Sequence, residues 1–315
     1  MHIPIKNLKP SSGILIAGAG GGFDFLCGLP LASELMRAGH RITLANYSFT
    51  NLEALPEPSF DGRMCRVDHK SELRGDPYFP EGYLARWFHE VKGLDMPVHC
   101  FGRLGVKSLR ECYECLRKVH DLDLVLVIDG GVDGIFRGDE YGLGTPSMDA
   151  VSMIAANESG FKQKVYVCTA FGAEGVNQEV AHADVLARLS DLISSRGFQG
   201  VSSLLPDDEA AKDLFEAAAY IFERMPEHQH SVIICSMLKA LDGAFGYQSV
   251  NVKTEFNQIW LSPLTCLYWF CDLDKTARLK PYYDQVKNSD SVTAVSQAIE
   301  KYRPISKTVR PSIPI

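Results

Sequence analysis

The run Leu122–Ile128 (LDLVLVI) constrains this chain more than any other segment: beyond Asp123 it has no polar alternation, and it ends directly on Asp129-Gly130-Gly131. A strand that is apolar at successive positions is buried on both faces, as happens in parallel sheets covered by helices. The rest of the sequence repeats the theme. Apolar runs of strand length, Gly13–Ala17, His40–Ala45, Val98–Phe101, Lys164–Ala170 and Gly200–Leu204, are interleaved with helical periodicity over Phe23–Ala38, Glu81–Lys92, Val106–His120, Ser147–Asn157 and Glu179–Ser195. Such alternation requires right-handed crossovers, and so predicts an α/β fold in three layers around a mostly parallel sheet.

Beyond Pro206 the pattern turns helical, with helices expected over Asp207–Arg224, Val232–Leu241, Pro263–Cys271 and Ser291–Tyr302. The breaker-rich stretch near 51–80 reads as an irregular insertion, and the Pro-containing segment 304–315 as a flexible tail. With 315 residues, 46% of them hydrophobic, the chain is large enough for a substantial core. No repeat or low-complexity linker divides it, so residues 1–303 are expected to form a single domain.

A net charge of −7 with scattered basic residues disfavours a nucleic-acid partner. No apolar stretch reaches the roughly 20 residues that span a bilayer, and the first residues lack a signal-like apolar core. The nine cysteines lie mostly inside apolar runs, the usage of reduced, buried thiols. These features predict a cytoplasmic protein whose partner is a small molecule, with neither membrane nor nucleic acid; a homo-oligomer is compatible with them.

Two clusters carry the chemistry. Gly18, Gly20, Gly21 and Gly22, with Asp24, stand where a strand hands over to a helix, a place where backbone amides meet phosphate or another anion. The turn departs from the dinucleotide fingerprint at Phe23, and the next strand ends on Ala45-Asn46 without the acidic residue that takes a ribose, which disfavours ordinary NAD-dependent dehydrogenase chemistry. A tight packing turn, with Asp24 as a first-turn charge, is the plain alternative. The second cluster follows the strongest strand: Asp129, Gly130, Gly131, Asp133, then Asp139 and Glu140, then Thr145-Pro146 as a helix cap with Asp149 in the first turn. Its carboxylates suit Mg2+, sugar hydroxyls or general acid–base work, and spacing does not choose among them. Single members can equally face water or cap backbone amides.

Glu174 follows the strand Lys164–Ala170 and is expected on the same rim, with His182 on the next helix. Cys112 and Cys115 have a metal-compatible spacing, but one mid-helix and without a second pair, and His228 and His230 precede an apolar segment. Neither a G-x-S-x-G elbow nor a Walker A sequence is present.

The strings IAGAGGGFD and IDGGVDGIFRGDEYGLGTPSMDA resemble an uncharacterised family, domain of unknown function 1152. The matching positions are Gly18, Gly20, Gly21, Gly22, Asp24, Asp129, Gly130, Gly131, Asp133, Gly138, Asp139, Glu140, Gly144, Thr145, Pro146 and Asp149, and the resemblance is expected to cover the first two-thirds of the chain and to fade from Pro206. It implies a Rossmann-like, nucleotide-binding architecture, similar in spirit to the sirtuin and deoxyhypusine-synthase group, without an established activity. The histidine and asparagine–aspartate motif of sirtuin chemistry is not found in this sequence.

The functional expectation is an enzyme, a transferase or hydrolase, performing group transfer or glycosidic-bond cleavage on a nucleotide, sugar-phosphate or similar polar metabolite. Asp129, Asp133, Asp139 and Glu140 are the candidate catalytic residues; Asp129 and Asp133 would orient hydroxyls or Mg2+, and Asp139 or Glu140 would be the base. Gly18, Gly20, Gly21, Gly22, Asp24, Gly130, Gly131, Thr145 and Glu174 are the candidate binding residues. No residue is assigned as a metal ligand, and the cofactor is left open between a nucleotide such as NAD and Mg2+. A non-catalytic metabolite-binding protein and a tailoring enzyme of a specialised biosynthetic pathway are the rival readings.

Overall fold

A computed structural model describes residues 1–6, 8–55, 63–75, 77–140, 142–144, 146–174 and 180–303. The elements are β1 (Gly13–Gly18), α1 (Asp24–Cys27), α2 (Leu29–Arg37), β2 (Arg41–Tyr47), β3 (Met64–Val67), α3 (Pro80–Glu90), β4 (Val98–Phe101) and α4 (Val106–Val119). They continue with β5 (Leu124–Asp129), α5 (Pro146–Asn157), β6 (Gln163–Cys168), α6 (His182–Ser194), β7 (Phe198–Ser203), α7 (Glu209–Phe222), α8 (Val232–Leu241), β8 (Gly246–Gln248) and β9 (Ile259–Leu261). The last are β10 (Leu267–Asp272), α9 (Leu273–Ala277), α10 (Tyr283–Val286) and α11 (Val292–Tyr302).

Eight strands form one sheet in the order β3-β4-β2-β1-β5-β6-β10-β7. Neighbours from β4 through β6 run parallel, whereas β3 is antiparallel to β4, and β10 to both its neighbours. The period of two along each strand divides the core. Ile14, Ile16, Leu124, Leu126 and Ile128 face one side, where Leu31 and Leu35 of α2, Trp87 and Phe88 of α3 and Leu214 of α7 cover them. Leu15, Ala17, Val125 and Val127 face the other, against Leu109 and Leu116 of α4, Val151 and Ile154 of α5 and Val185 of α6. Side chains of this size each stabilise the fold by about 1.5–3 kcal/mol on full burial. The result is an α/β structure in three layers, compatible with a Rossmann-like arrangement.

Three expectations need correction. The helix expected over Phe23–Ala38 is broken at Gly28 into α1 and α2. A Cβ there would lie 2.7 Å from Ile16 Cγ2 and 3.1 Å from Ile128 Cγ1, so only glycine lets the chain settle onto β1 and β5 at the break. The insertion near 51–80 contains an edge strand, β3, paired with β4. The helix expected over Pro263–Cys271 is a single 3-10 turn, Pro263–Cys266, capped by Ser262, followed by β10 in the sheet. The cap and proline are real helix-start signals, but the aromatic and apolar residues behind them suit a half-buried strand better. The 304–315 segment lies outside the described residues.

None of the helices described is long and apolar enough to cross a membrane. All nine cysteines are free thiols, six of them buried. Cys112 is buried and Cys115 half-buried on α4, the placement of a packing pair.

Candidate functional site

Strand β1 lies between β2 and β5, and it is here that the sheet reverses its order of growth: β2 and β4 follow on one side, β5 and β6 on the other. At such a reversal the loops leaving the carboxyl ends diverge and open a crevice. The register fixes what lines it. Gly18 is level with Asn46 of β2 and Ile128 of β5, and Asp129 with Cys168 of β6, so the glycine turn, the acidic loop and the segment leading to Glu174 leave the sheet side by side.

The turn is tied down from several directions. The Ala19 amide donates to the Ile128 carbonyl (2.8 Å), Ser152 Oγ of α5 donates to the Ala19 carbonyl (2.8 Å), and Asn46 Nδ2 donates to the Gly22 carbonyl (2.9 Å). The same Asn46 amide donates to buried Glu81, whose second oxygen accepts from Thr50. Gly21 and Gly22 have φ of 101° and 65°, which side-chain-bearing residues rarely adopt. The Gly20 amide donates to the Asp24 carboxylate, and no hydrogen bond from the Gly21 or Gly22 amide is found among the described residues. Because α1 is only four residues long, the turn is not backed by an extended helix dipole.

Asp24, Asp129 and Asp149 meet behind the turn: one carboxylate oxygen of each lies within 4.8 Å of the other two. Asp129 accepts from the Gly134 amide at 3.0 Å and from the Tyr166 hydroxyl. Asp149, in the first turn of α5, is 1% exposed, and its Oδ1 has no hydrogen-bond partner. Glu174 reaches over from beyond β6 and accepts the Val132 (2.5 Å) and Asp133 (3.0 Å) amides. Asp133 is 1% exposed beneath Gly144, where a Cβ would lie 2.2 Å from its Oδ2. Buried Lys280, just before α10, directs Nζ at the Gly134 (2.6 Å) and Phe136 (3.3 Å) carbonyls.

Crowding acids out of water has its expected electrostatic result. Burial, then the neighbouring Asp129, holds Asp24 well above the usual carboxylate range. Asp149 is raised likewise by burial and then by Asp129, and Glu174 by burial and then by Asp133. Asp129 is pushed up to about 7 by burial and by Asp133, against the pull of its Tyr166 and Gly134 donors. Burial lowers Lys280 to about 8, the surrounding carboxylates opposing it.

Of the residues singled out from the sequence, Gly18, Gly20, Gly21, Gly22, Asp24, Asp129, Gly130, Gly131, Asp133 and Glu174 come together here. Gly130 and Gly131 bring main chain against Asp24 and Glu174, where a Cβ would lie 2.6 Å from Asp24 Oδ1 and 2.3 Å from Glu174 Cδ. The carboxylates of Asp139 and Glu140 are engaged with other groups. Glu140 accepts the Arg137 and Gly138 amides (3.0 and 2.9 Å) and lies 3.9 Å from Arg188, and Asp139 accepts from the Tyr302 hydroxyl (3.4 Å). Thr145 lies outside the described residues. His182 packs on the rings of Phe171 and Trp260; His230 bonds the Phe222 and Met225 carbonyls, and His228 is exposed.

The sequence reading passed over Lys280, Tyr166, Glu81 and Phe49. No motif surrounds them. Phe49, 43% exposed, sets its ring against Gly21, where a Cβ would lie 2.4 Å from Phe49 Cε1, and it lines a cavity of about 700 Å³ together with Arg103, Gly144, Met148 and residues of α11. The cavity borders the glycine turn through Phe49 and the Asp133 loop through Gly144, while none of the clustered carboxylates lines it.

A family model described as protein of unknown function (DUF1152) matches residues 87–306. No curated protein and no solved structure matches. The match spans more than half of the chain, so the chain belongs to this family of unknown function. Its extent corrects the coverage expected from the motifs: it begins within α3, after the first glycine turn, and continues through the helical part beyond Pro206.

Proposed function

We propose that this family member is an enzyme that binds a nucleotide, sugar-phosphate or similarly polar metabolite at the β1/β5 crevice and carries out group transfer or glycosidic-bond cleavage on it. The observation that carries this reading is the meeting of Asp24, Asp129 and Asp149, with Asp133 and Glu174 beside them, at the glycine turn. Buried carboxylates gathered at a switch point contribute little to stability, and perturbed acids in a cleft mark sites of proton chemistry.

Asp133, buried beside the three clustered acids and next to Glu174, is the residue assigned to exchange a proton with substrate. Glu174 orders the loop that presents Asp133, and the Gly21 and Gly22 amides are available to an anionic group. The body of the metabolite would occupy the cavity beside Phe49 and Arg103. The nine free thiols support a reducing, cytoplasmic setting.

The test compares wild type with Asp133→Asn in a small-metabolite extract followed by mass spectrometry. Wild type is expected to consume a phosphorylated or glycosylated compound that the variant binds and leaves intact. Turnover undiminished in the variant would remove Asp133 from the chemistry, and binding without consumption by wild type would favour a metabolite-binding protein.

A further inference from the structure

We infer that Asp24, Asp129 and Asp149 hold a hard divalent cation, Mg2+ or Mn2+, to which a phosphate of the substrate is bound. The inference rests on the proposed function for the phosphate and on the site's own geometry for the cation.

Three side chains from three separate elements contribute: Asp24 begins α1, Asp129 ends β5, and Asp149 lies in the first turn of α5. Their oxygens, mutually within 4.8 Å, already occupy the span a shared ion needs. An octahedral Mg2+ with bonds of about 2.0–2.1 Å places its ligands roughly 3–4.2 Å apart, so closing on the ion requires only small side-chain rotations. The set contains oxygen alone, without imidazole or thiolate, which selects hard cations over zinc or copper.

Two further observations point to a missing positive charge. Asp149 Oδ1 is buried without any hydrogen-bond partner, although an unsatisfied polar oxygen is costly to bury. Lys280 is a positive charge near these acids, but its Nζ bonds the Gly134 and Phe136 carbonyls, it makes no salt bridge among the described residues, and it is one charge set against Asp129, Asp133 and Asp149. The main chain also comes close to the acids. At Gly20 a Cβ would lie 2.6 Å from Asp149 Oδ1 and 2.9 Å from Asp24 Oδ2, so any larger residue would intrude on the acids. The Gly20 amide already donates to Asp24, so a cation held there sits at the glycine turn to which the proposed function assigns the phosphate. The arrangement therefore selects nucleotides and sugar phosphates over uncharged glycosides.

The test titrates the full-length protein with Mn2+ and follows loss of the free-ion paramagnetic resonance signal. Wild type is expected to bind one Mn2+ that added Mg2+ displaces; Asp149→Asn and Asp24→Asn should each weaken it at least tenfold, and Asp139→Asn should leave it unchanged. Thermal melts establish that each variant is folded, and Asp24, being partly exposed, provides the second route if Asp149→Asn does not fold. Absence of binding at millimolar Mn2+, or unchanged affinity in both cluster variants, overturns the site. Metabolite consumption that persists in EDTA would also overturn the cation while leaving the proposed function standing. Mn2+ bound as expected in a protein that consumes nothing would uphold the cation and sink the proposed function instead.

Discussion

Asp149 occupies a position that a protein selected only for stability would not give to a carboxylate, since it is buried and faces Asp24 and Asp129. Without a bound cation, Asp149→Asn should therefore raise stability, by about 1–2 kcal/mol or roughly 2–4 °C in Tm, measurable by calorimetry in EDTA. A fall in Tm would mean that the acid makes a stabilising contact. Gly144→Ala should act in the opposite sense. Its φ is 58° and a Cβ would collide with Asp133 Oδ2, so a loss of roughly 1–3 kcal/mol is expected in urea unfolding. The acids were legible in the sequence because glycines and a strand end surround them, and Asp149 because it follows a Thr-Pro cap. Lys280 was not legible: its place beside Gly134 is created by the packing of the segment between α9 and α10, and nothing in LKPYY announces it.

At the scale of elements, the sequence served best where burial is one-sided or complete, and least well where two signals compete. Strand β5 and helix α8 follow from apolar pattern alone. β10 was misread because Ser262-Pro263 starts a real turn whose continuation is decided by the slot between β6 and β7. Phe270 fills that slot without exposure, so Phe270→Ala should cost about 3–5 kcal/mol in chemical denaturation. A loss below 1 kcal/mol would mean that β10 contributes little to the core.

Strand β4 carries a pH dependence of its own. Burial, then neighbouring His120 and Arg66, lowers His99 from the ordinary 6.5 to about 4, and neither ring nitrogen has a hydrogen-bond partner. The folded state favours the neutral ring, so unfolding takes up a proton between these two values. Stability from this residue is complete above pH 6.5, declines as the pH falls toward 4 and changes no further below it, for a total of roughly 3 kcal/mol. In unfolding measurements across that window His99→Leu should flatten the decline relative to wild type; parallel curves would contradict the assignment.

On the scale of the whole molecule, the decisive feature is the reversal of strand order between β1 and β5, which brings residues more than a hundred positions apart in sequence to one crevice. The alternation of elements made a parallel sheet legible, but no local pattern states that β5 crosses back to β1. That step appears only in the assembled sheet, where Ile14–Gly18 lies level with Leu124–Ile128. The opposite end of the sheet carries another cavity, of about 440 Å³, with Lys6, Lys162, Lys164 and Arg196 in its lining. Hydrogen exchange read by mass spectrometry decides between the two ends, using wild-type protein with and without a mixture of nucleotides and sugar phosphates in Mg2+. The crevice account predicts joint slowing of amides in 18–24, 129–134 and 146–149, with the 162–165 and 196–199 segments unchanged. Slowing in only one of the three crevice segments, or at the basic cavity instead, would contradict it.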